Sequence, residues 1–246
     1  MTLLLIALKS ARFRRTSIVL TVLAIAISAT LLLGVDKIRK ESRASFFNTV
    51  AGTDLIVGAR SSPTNLLLYS VFRIGNATNN VSWETYESIA EQDEVAWTIP
   101  IALGDSHRGF RVMGTSTDYF EFYRYGNKQQ LSLDAGERFE GAYDAVLGAD
   151  VARDLGYKVG NEIVISHGLT SADFADHDDK PFTVVGIFDR TGTPVDRTVH
   201  VGLAGIEAIH VDFRDGSRSG VPLDAEQALQ FDLTPTSITA FMVGLE

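Results

Sequence analysis

Residues 17–35 form an uncharged run, SIVLTVLAIAISATLLLGV, with nothing more polar than Ser17, Thr21, Ser28 and Thr30. As a helix rising 1.5 Å per residue it spans about 28 Å, close to a bilayer hydrocarbon core of about 30 Å. A buried helix of a water-soluble protein usually carries a polar stripe, which this one lacks. A cleaved secretory signal has a shorter apolar region, about 7–15 residues, followed by a small-x-small site. The one Ala-x-Ala here, Ala24 to Ala26, lies in the middle of the run. The pattern predicts an uncleaved transmembrane helix over 17–35, and nothing later in the chain is comparable.

Beyond it the periodicity alternates between helix and strand. Residues 36–51 are mixed polar and continue the helix outward. Residues 54–57 read as a strand between Gly52 and Gly58. Ser61, Ser62, Pro63, Thr64 and Asn65 carry turn chemistry, followed by LLLYSVFRI over 66–74, apolar on nearly every side. Ser82 caps a helix whose Trp83, Tyr86, Ile89 and Ala90 recur at helical spacing. Residues 95–103 and 110–113 are strands, and Gly104, Asp105 and Ser106 between them predict a hairpin turn. Residues 145–147 form a strand ending at Gly148, and 149–155 a short helix with Val151, Ala152 and Leu155 on one side. Gly156 stops that helix where the backbone must turn left-handed. Strands over 162–166, 182–188, 198–201 and 238–245 follow. The fold class is α+β: one N-terminal transmembrane helix, then an extracytoplasmic mixed α/β domain of two small subdomains. Its strands are expected in several short sheets rather than one wound parallel sheet.

Charge alone does not set the orientation. The leader 1–16 carries Lys9, Arg12, Arg14 and Arg15 and no acid, which favours the cytoplasm. The far flank carries Lys37, Arg39, Lys40 and Arg43, so the basic count is a tie. The shortness of the leader and the absence of cysteine from the long segment favour an N-terminus inside and the domain 36–246 outside. Leu4, Ile6, Leu8 and Phe13 interleave with the leader's basic residues, as in an amphipathic helix at a membrane surface or a plain topogenic segment. Hydrophobic residues at 45% and charged residues at 22% are ordinary globular proportions. A net charge of −9 argues against nucleic acid as a partner, since phosphate binding needs a basic patch.

Several stretches together resemble the extracytoplasmic core of the MacB/FtsX-type ABC transporter permeases, a superfamily that includes macrolide exporters and lipoprotein-release permeases. They are the leader and membrane helix, then GTDLIVG (52–58), then Val112-Met113-Gly114 followed by Asp118-Tyr119-Phe120. AVLGADVARDLGYKVGNEIVI (145–165) and FTVVGIF (182–188) complete the pattern. The resemblance implies a MacB-like periplasmic core with an inserted subdomain at about 105–195, in a bacterial inner membrane. It implies a permease that forms a homodimer or heterodimer and pairs with a cytoplasmic ABC ATPase subunit. The exterior domain would then transmit mechanical work rather than line a channel. Such permeases carry four membrane helices, the last three after the exterior domain; this chain shows only the first, so truncation is the expectation.

The resemblance implies no catalytic, cofactor-binding or metal-binding residues, and the sequence has no G-x-x-x-x-G-K-[ST] phosphate cradle. ATP hydrolysis is therefore expected in a partner. Residues 66–74 read either as a helix buried against the domain or as a membrane-proximal lip that meets a lipid, a lipoprotein or a partner, with Leu67 and Phe72 as its test positions. The excursion 167–180 holds Asp173, Asp176, His177, Asp178 and Asp179, whose side chains suit a divalent ion but match no ligand signature. His107, His200 and His210 are scattered and read as structural. Gly216-Ser217-Arg218-Ser219-Gly220 superficially resembles a nucleophile elbow but has arginine at its centre. The alternative function is a membrane-anchored extracytoplasmic sensor or ligand-binding module, possibly metal-related.

Overall fold

A computed structural model describes residues 6, 9, 10, 12–167, 179–214, 217, 218 and 223–246. The chain divides into two compact units, Met1–Phe46 and Phe47–Glu246. The first unit is dominated by helix α1, Arg15–Thr49, whose last residues belong to the second. Among the described residues α1 is the one helix long and apolar enough to cross a membrane: its Arg15–Glu41 portion has a mean hydropathy of 2.7 and buries nothing. The expected outward continuation of the helix through 36–49 is present. Its exposed flank carries i,i+4 ion pairs, Lys37 with Glu41 and Lys40 with Asp36, each worth a few tenths of a kcal/mol at most. The amphipathic leader falls largely outside the described residues.

The second unit is built on a ten-stranded mixed sheet. In chain order its strands are β1 (Leu55–Gly58), β2 (Val95–His107), β3 (Phe110–Thr115), β4 (Leu133–Gly136) and β5 (Asp144–Leu147). They continue with β6 (Glu162–Ile163), β7 (Ser166–His167), β8 (Phe182–Phe188), β9 (Thr198–Gly202) and β10 (Ala240–Leu245). The spatial order is β1-β10-β2-β3-β9-β5-β8-β4, with β7 added to β2 and β6 to β8. Pairing is antiparallel except for β8 with β5 and β9 with β3. The α+β reading stands, but the expectation of several short sheets does not. The main strands are gathered into one sheet, and among the described residues three two-stranded ribbons lie apart from it. The joins that merge them, β10 between β1 and β2 above all, link residues far apart in sequence and leave no local signature.

Local departures have physical causes. Residues 104–106 do not turn: β2 runs on to His107, and Gly104 and Asp105 absorb a register shift against β3, so turn-forming residues serve a bulge. The turn comes at Arg108 and Gly109, both with positive φ (47° and 84°), as a two-residue hairpin whose twist matches its strands requires. Residues 61–65 are not a turn either. Ser62 caps a helix, α2 (Pro63–Ser70), by accepting from the Asn65 amide at 3.1 Å, with Pro63 in the first helical turn. The strand expected over 162–166 is split because its halves pair with different neighbours, β6 with β8 and β7 with β2. The cap at Ser82 on α3 (Trp83–Ala90) and the left-handed Gly156, φ 72°, are as read.

Strand alternation gives the two faces of the sheet different contents. Val112, Val199, Val201, Ala145 and Leu147 point into an apolar core with Phe182 and Val184. That core is closed by α5 (Ala149–Leu155), through Val151, and α6 (Leu203–His210), through Ile206 and Ile209. At the β1–β10 end, Phe241 and Val243 pack with Trp83, Tyr86 and Ile89 of α3. On the opposite face of β3 and β9, in parallel register, stand Arg111 beside Thr198 and Met113 beside His200. Helix α4 (Asp118–Phe122) supplies Tyr119 and Phe120 to that side, and Tyr123 follows it.

Candidate coupling site

A helix leaves its last four carbonyls without intrahelical partners, and a buried end must find them elsewhere. At the end of α1, Thr49 and Val50 are buried, 2% and 9% exposed. Their neighbourhood supplies the donors: the Gly126 amide gives its hydrogen to the Asn48 carbonyl at 2.6 Å, and the Tyr123 hydroxyl donates to the Thr49 carbonyl. Gly52, with φ 82°, then turns the chain into β1, whose entry is held by the Asp54 amide on the Val243 carbonyl at 3.0 Å. The last residues of α1, which belong to the second unit, are thus bonded within that unit through one short segment, 123–126.

Tyr123 reaches that carbonyl from inside an aromatic layer. Its ring lies 4.7 Å from Tyr119, which stacks on the His200 imidazole at 5.3 Å and 25°. Phe188 meets the same imidazole edge-on at 5.1 Å, and Phe120 joins Phe188 at 5.7 Å. Burial pushes the Tyr123 phenol up to about 12 and the Tyr119 phenol well above its ordinary value. Burial, then the nearby Arg73 charge, pushes His200 down to about 3, so its ring is neutral at physiological pH. Tyr123 therefore acts as a neutral hydroxyl donor.

His107 and His210 stand in different surroundings. His107 is buried; its Nδ1 donates to the Val164 carbonyl at 2.6 Å, which leaves Nε2 to accept from the Tyr157 hydroxyl at 3.0 Å. His210 sits 3.6 Å from Asp105; burial alone would lower its pKa, but Asp105 and Glu207 lift it above the ordinary value. These three groups line a cleft of about 250 Å³ with Asn80, Gly104 and Thr239. Of 66–74, Tyr69, Ser70 and Val71 are buried, Leu67 and Phe72 half-buried, and Leu68 and Ile74 exposed at 37% and 59%. Asp173, Asp176, His177 and Asp178 of the acidic excursion, and Gly216, Ser219 and Gly220, lie outside the described residues. Lys180, which ends the excursion, is wholly buried and bonded to Asp212 at 2.7 Å. Sequence reasoning missed Arg73 and Tyr123; an arginine near the end of an apolar stretch, or one tyrosine among several aromatics, gives no signal of an inward course.

The family model for the MacB-like periplasmic core domain matches residues 18–226, most of the chain. The chain belongs to that family. No curated protein sequence matches it. Among solved structures it is similar to the extracellular domain of the noncanonic ABC-type transporter YknZ from Gram-positive bacteria, at 11% identity. That match covers 68% of this chain and 74% of the other, with a TM-score of 0.41. It is also similar to the periplasmic region of MacB from Actinobacillus actinomycetemcomitans, at 10% identity over 81% of this chain and 78% of the other, TM-score 0.43. The 18–226 match is what places the chain in the MacB-like family.

Proposed function

We propose that the chain is the membrane subunit of an ABC transporter, in which a periplasmic body couples ATP hydrolysis by a cytoplasmic ATPase to movement of a substrate or lipoprotein. The observation that carries this reading is the family match over 18–226, which takes in both the membrane-length helix and most of the body. On this reading 1–16 is a cytoplasmic leader, 17–35 the membrane span and 36–246 the periplasmic core, with 105–195 as an inserted subdomain, in a bacterial inner membrane. The permease works as a homodimer or heterodimer, and hydrolysis belongs to its partner. The bonds from Gly126 and Tyr123 to the carbonyls of Asn48 and Thr49 support a mechanical role, because they make the end of α1 part of the body.

The test is reconstitution of the full chain in membranes with the ABC ATPases of its source organism. The expected result is a stable complex that hydrolyses ATP and an isolated chain that does not. Turnover by the isolated chain, or failure to bind any ATPase, refutes the reading. The cleft lined by Asp105, Glu207 and His210 favours a second reading, a membrane-anchored ligand-binding module. That reading requires normal function in a cell lacking the ATPase.

A further inference from the structure

The aromatic layer beneath β3 and β9 contains a positive charge without a counter-charge. Arg73 has φ 60°, a conformation that non-glycine residues rarely adopt. Its Nη2 lies 2.8 Å from the Met113 thioether, a weak acceptor. Its Nε and Nη1 are buried and have no hydrogen-bond partner. The same holds for the Tyr119 hydroxyl and for both ring nitrogens of His200, two residues that are themselves 0% exposed. Arg111, two residues before Met113 and on the same face of β3, donates to the Gly75 carbonyl at 2.6 Å and leaves a second buried guanidinium Nε without a partner.

Among the described residues no carboxylate forms an ion pair with either guanidinium. Asp196, the acid whose field reaches Tyr119 and Tyr123, is already engaged. Its oxygens accept from the Thr191 amide, the Thr191 hydroxyl and the Gly192 amide at 2.8 Å each, and Arg190 stands 3.9 Å away. A guanidinium can only donate, and a phenol and a neutral imidazole can each donate one hydrogen; the acceptors within reach are the Met113 thioether, the Tyr119 oxygen, the Val146 carbonyl and one imidazole lone pair, fewer than the N–H groups of Arg73 and its neighbours require. The group is rich in donors and poor in acceptors. An uncompensated buried cation is among the most costly arrangements a fold can hold, and an anion is what removes that cost.

We infer that Arg73, Tyr119 and His200 together bind a small inorganic anion of halide size beneath the central sheet. Arg73 supplies the charge, and the Tyr119 hydroxyl and one His200 ring N–H supply directed hydrogen bonds. Because Tyr123 packs on Tyr119 and holds the Thr49 carbonyl, the bound anion also braces the segment that grips the end of α1. The site depends on these side chains and not on the transport reading.

The experiment uses the full chain in detergent, melted in sodium chloride, bromide or gluconate at equal ionic strength. A halide at about tenfold its dissociation constant should raise the melting temperature by roughly 3–6 °C over gluconate. Arg73→Met keeps an unbranched apolar stem and removes the charge, so it should melt at the same temperature in all three salts. Crystals grown in bromide should show an anomalous scattering peak at the Arg73 guanidinium. Equal melting of the native chain in the three salts, or the absence of that peak, overturns the inference and leaves ordered water as the acceptor. A halide effect that persists in Arg73→Met also overturns it. If Arg73→Met fails to fold, the native chain's salt series and the bromide peak decide the matter alone.

Discussion

Replacing Lys180 by Met isolates the worth of a buried ion pair. Lys180 Nζ bonds Asp212 Oδ1 at 2.7 Å, and the two side chains are 0% and 2% exposed. Asp212 Oδ2 also accepts from the Leu223 amide at 3.4 Å, and Asp179 lies 3.6 Å from the ammonium. Removing one partner strands a charge in the interior, at a cost of about 3–5 kcal/mol. That is a large share of the roughly 5–15 kcal/mol that holds a domain together. In a body of this size it corresponds to a fall in melting temperature of about 6–20 °C. The sign with pH is distinctive. Burial alone would raise the Asp212 pKa, but the hydrogen bond and charge of Lys180 outweigh it and hold the carboxyl below its ordinary value. In the native protein this contribution is complete above the ordinary carboxylate range and is lost as the pH falls through the depressed value. In Lys180→Met burial is opposed only by the backbone amides of Leu223 and Asp212, so the carboxyl rises and its protonation relieves the cost as the pH drops from 7 toward about 5. Urea unfolding followed by the fluorescence of Trp83 and Trp97 should show a gap that narrows over that interval. A double change, Lys180→Met with Asp212→Leu, should recover to within about 1–2 kcal/mol of the native protein, since a packed apolar pair carries no stranded charge. A gap at pH 7 below about 1 kcal/mol, or one of constant size across the interval, refutes the reasoning.

Two glycines separate backbone strain from collision. Gly109→Ala meets open space at φ 84° and should cost about 1 kcal/mol, whereas Gly136→Ala, at φ 74°, sets a Cβ 2.0 Å from the Val185 carbonyl and should cost about 3 kcal/mol or more. Equal shifts of the urea midpoint at constant slope would show that the close approach does not matter. Ser82→Ala removes the oxygen that accepts the Thr85 amide at 3.3 Å at the head of α3 and should cost about 1 kcal/mol by the same measurement; no change would mean the cap carries no stability.

Legibility in the sequence followed the range of the interactions. Elements set within a few residues could be read: the Ser82 cap, the strand-glycine-helix-glycine block over 144–156, and the apolar stretch of α1. Ser62 and Pro63 were legible too but were misread, because serine and proline serve turns and helix starts alike. Gly104 and Asp105 were ambiguous in the same way, between a turn and a bulge. The merger of the strands was not legible, since β10 pairs residues 240–245 with 95–101 and nothing near either segment names the other. Arg73 was the least legible. Its significance depends on Met113, Tyr119 and His200, which come from three other segments, and on a left-handed backbone that neither neighbour announces.

The two faces of the sheet also differ in what they can transmit. The face toward α5 and α6 is apolar, and its packing is non-directional, so a small displacement there can be taken up by repacking. The other face holds Arg111, Met113 and His200 under Tyr119 and Tyr123, whose polar atoms are satisfied in few arrangements. Such a layer shifts between discrete states more readily than it yields continuously. The carbonyl at the end of α1 is bonded to this face and not to the apolar one. Tyr123, which holds that carbonyl, packs on Tyr119, and Tyr119 stacks on His200, so a change at any of the three side chains bears on the others.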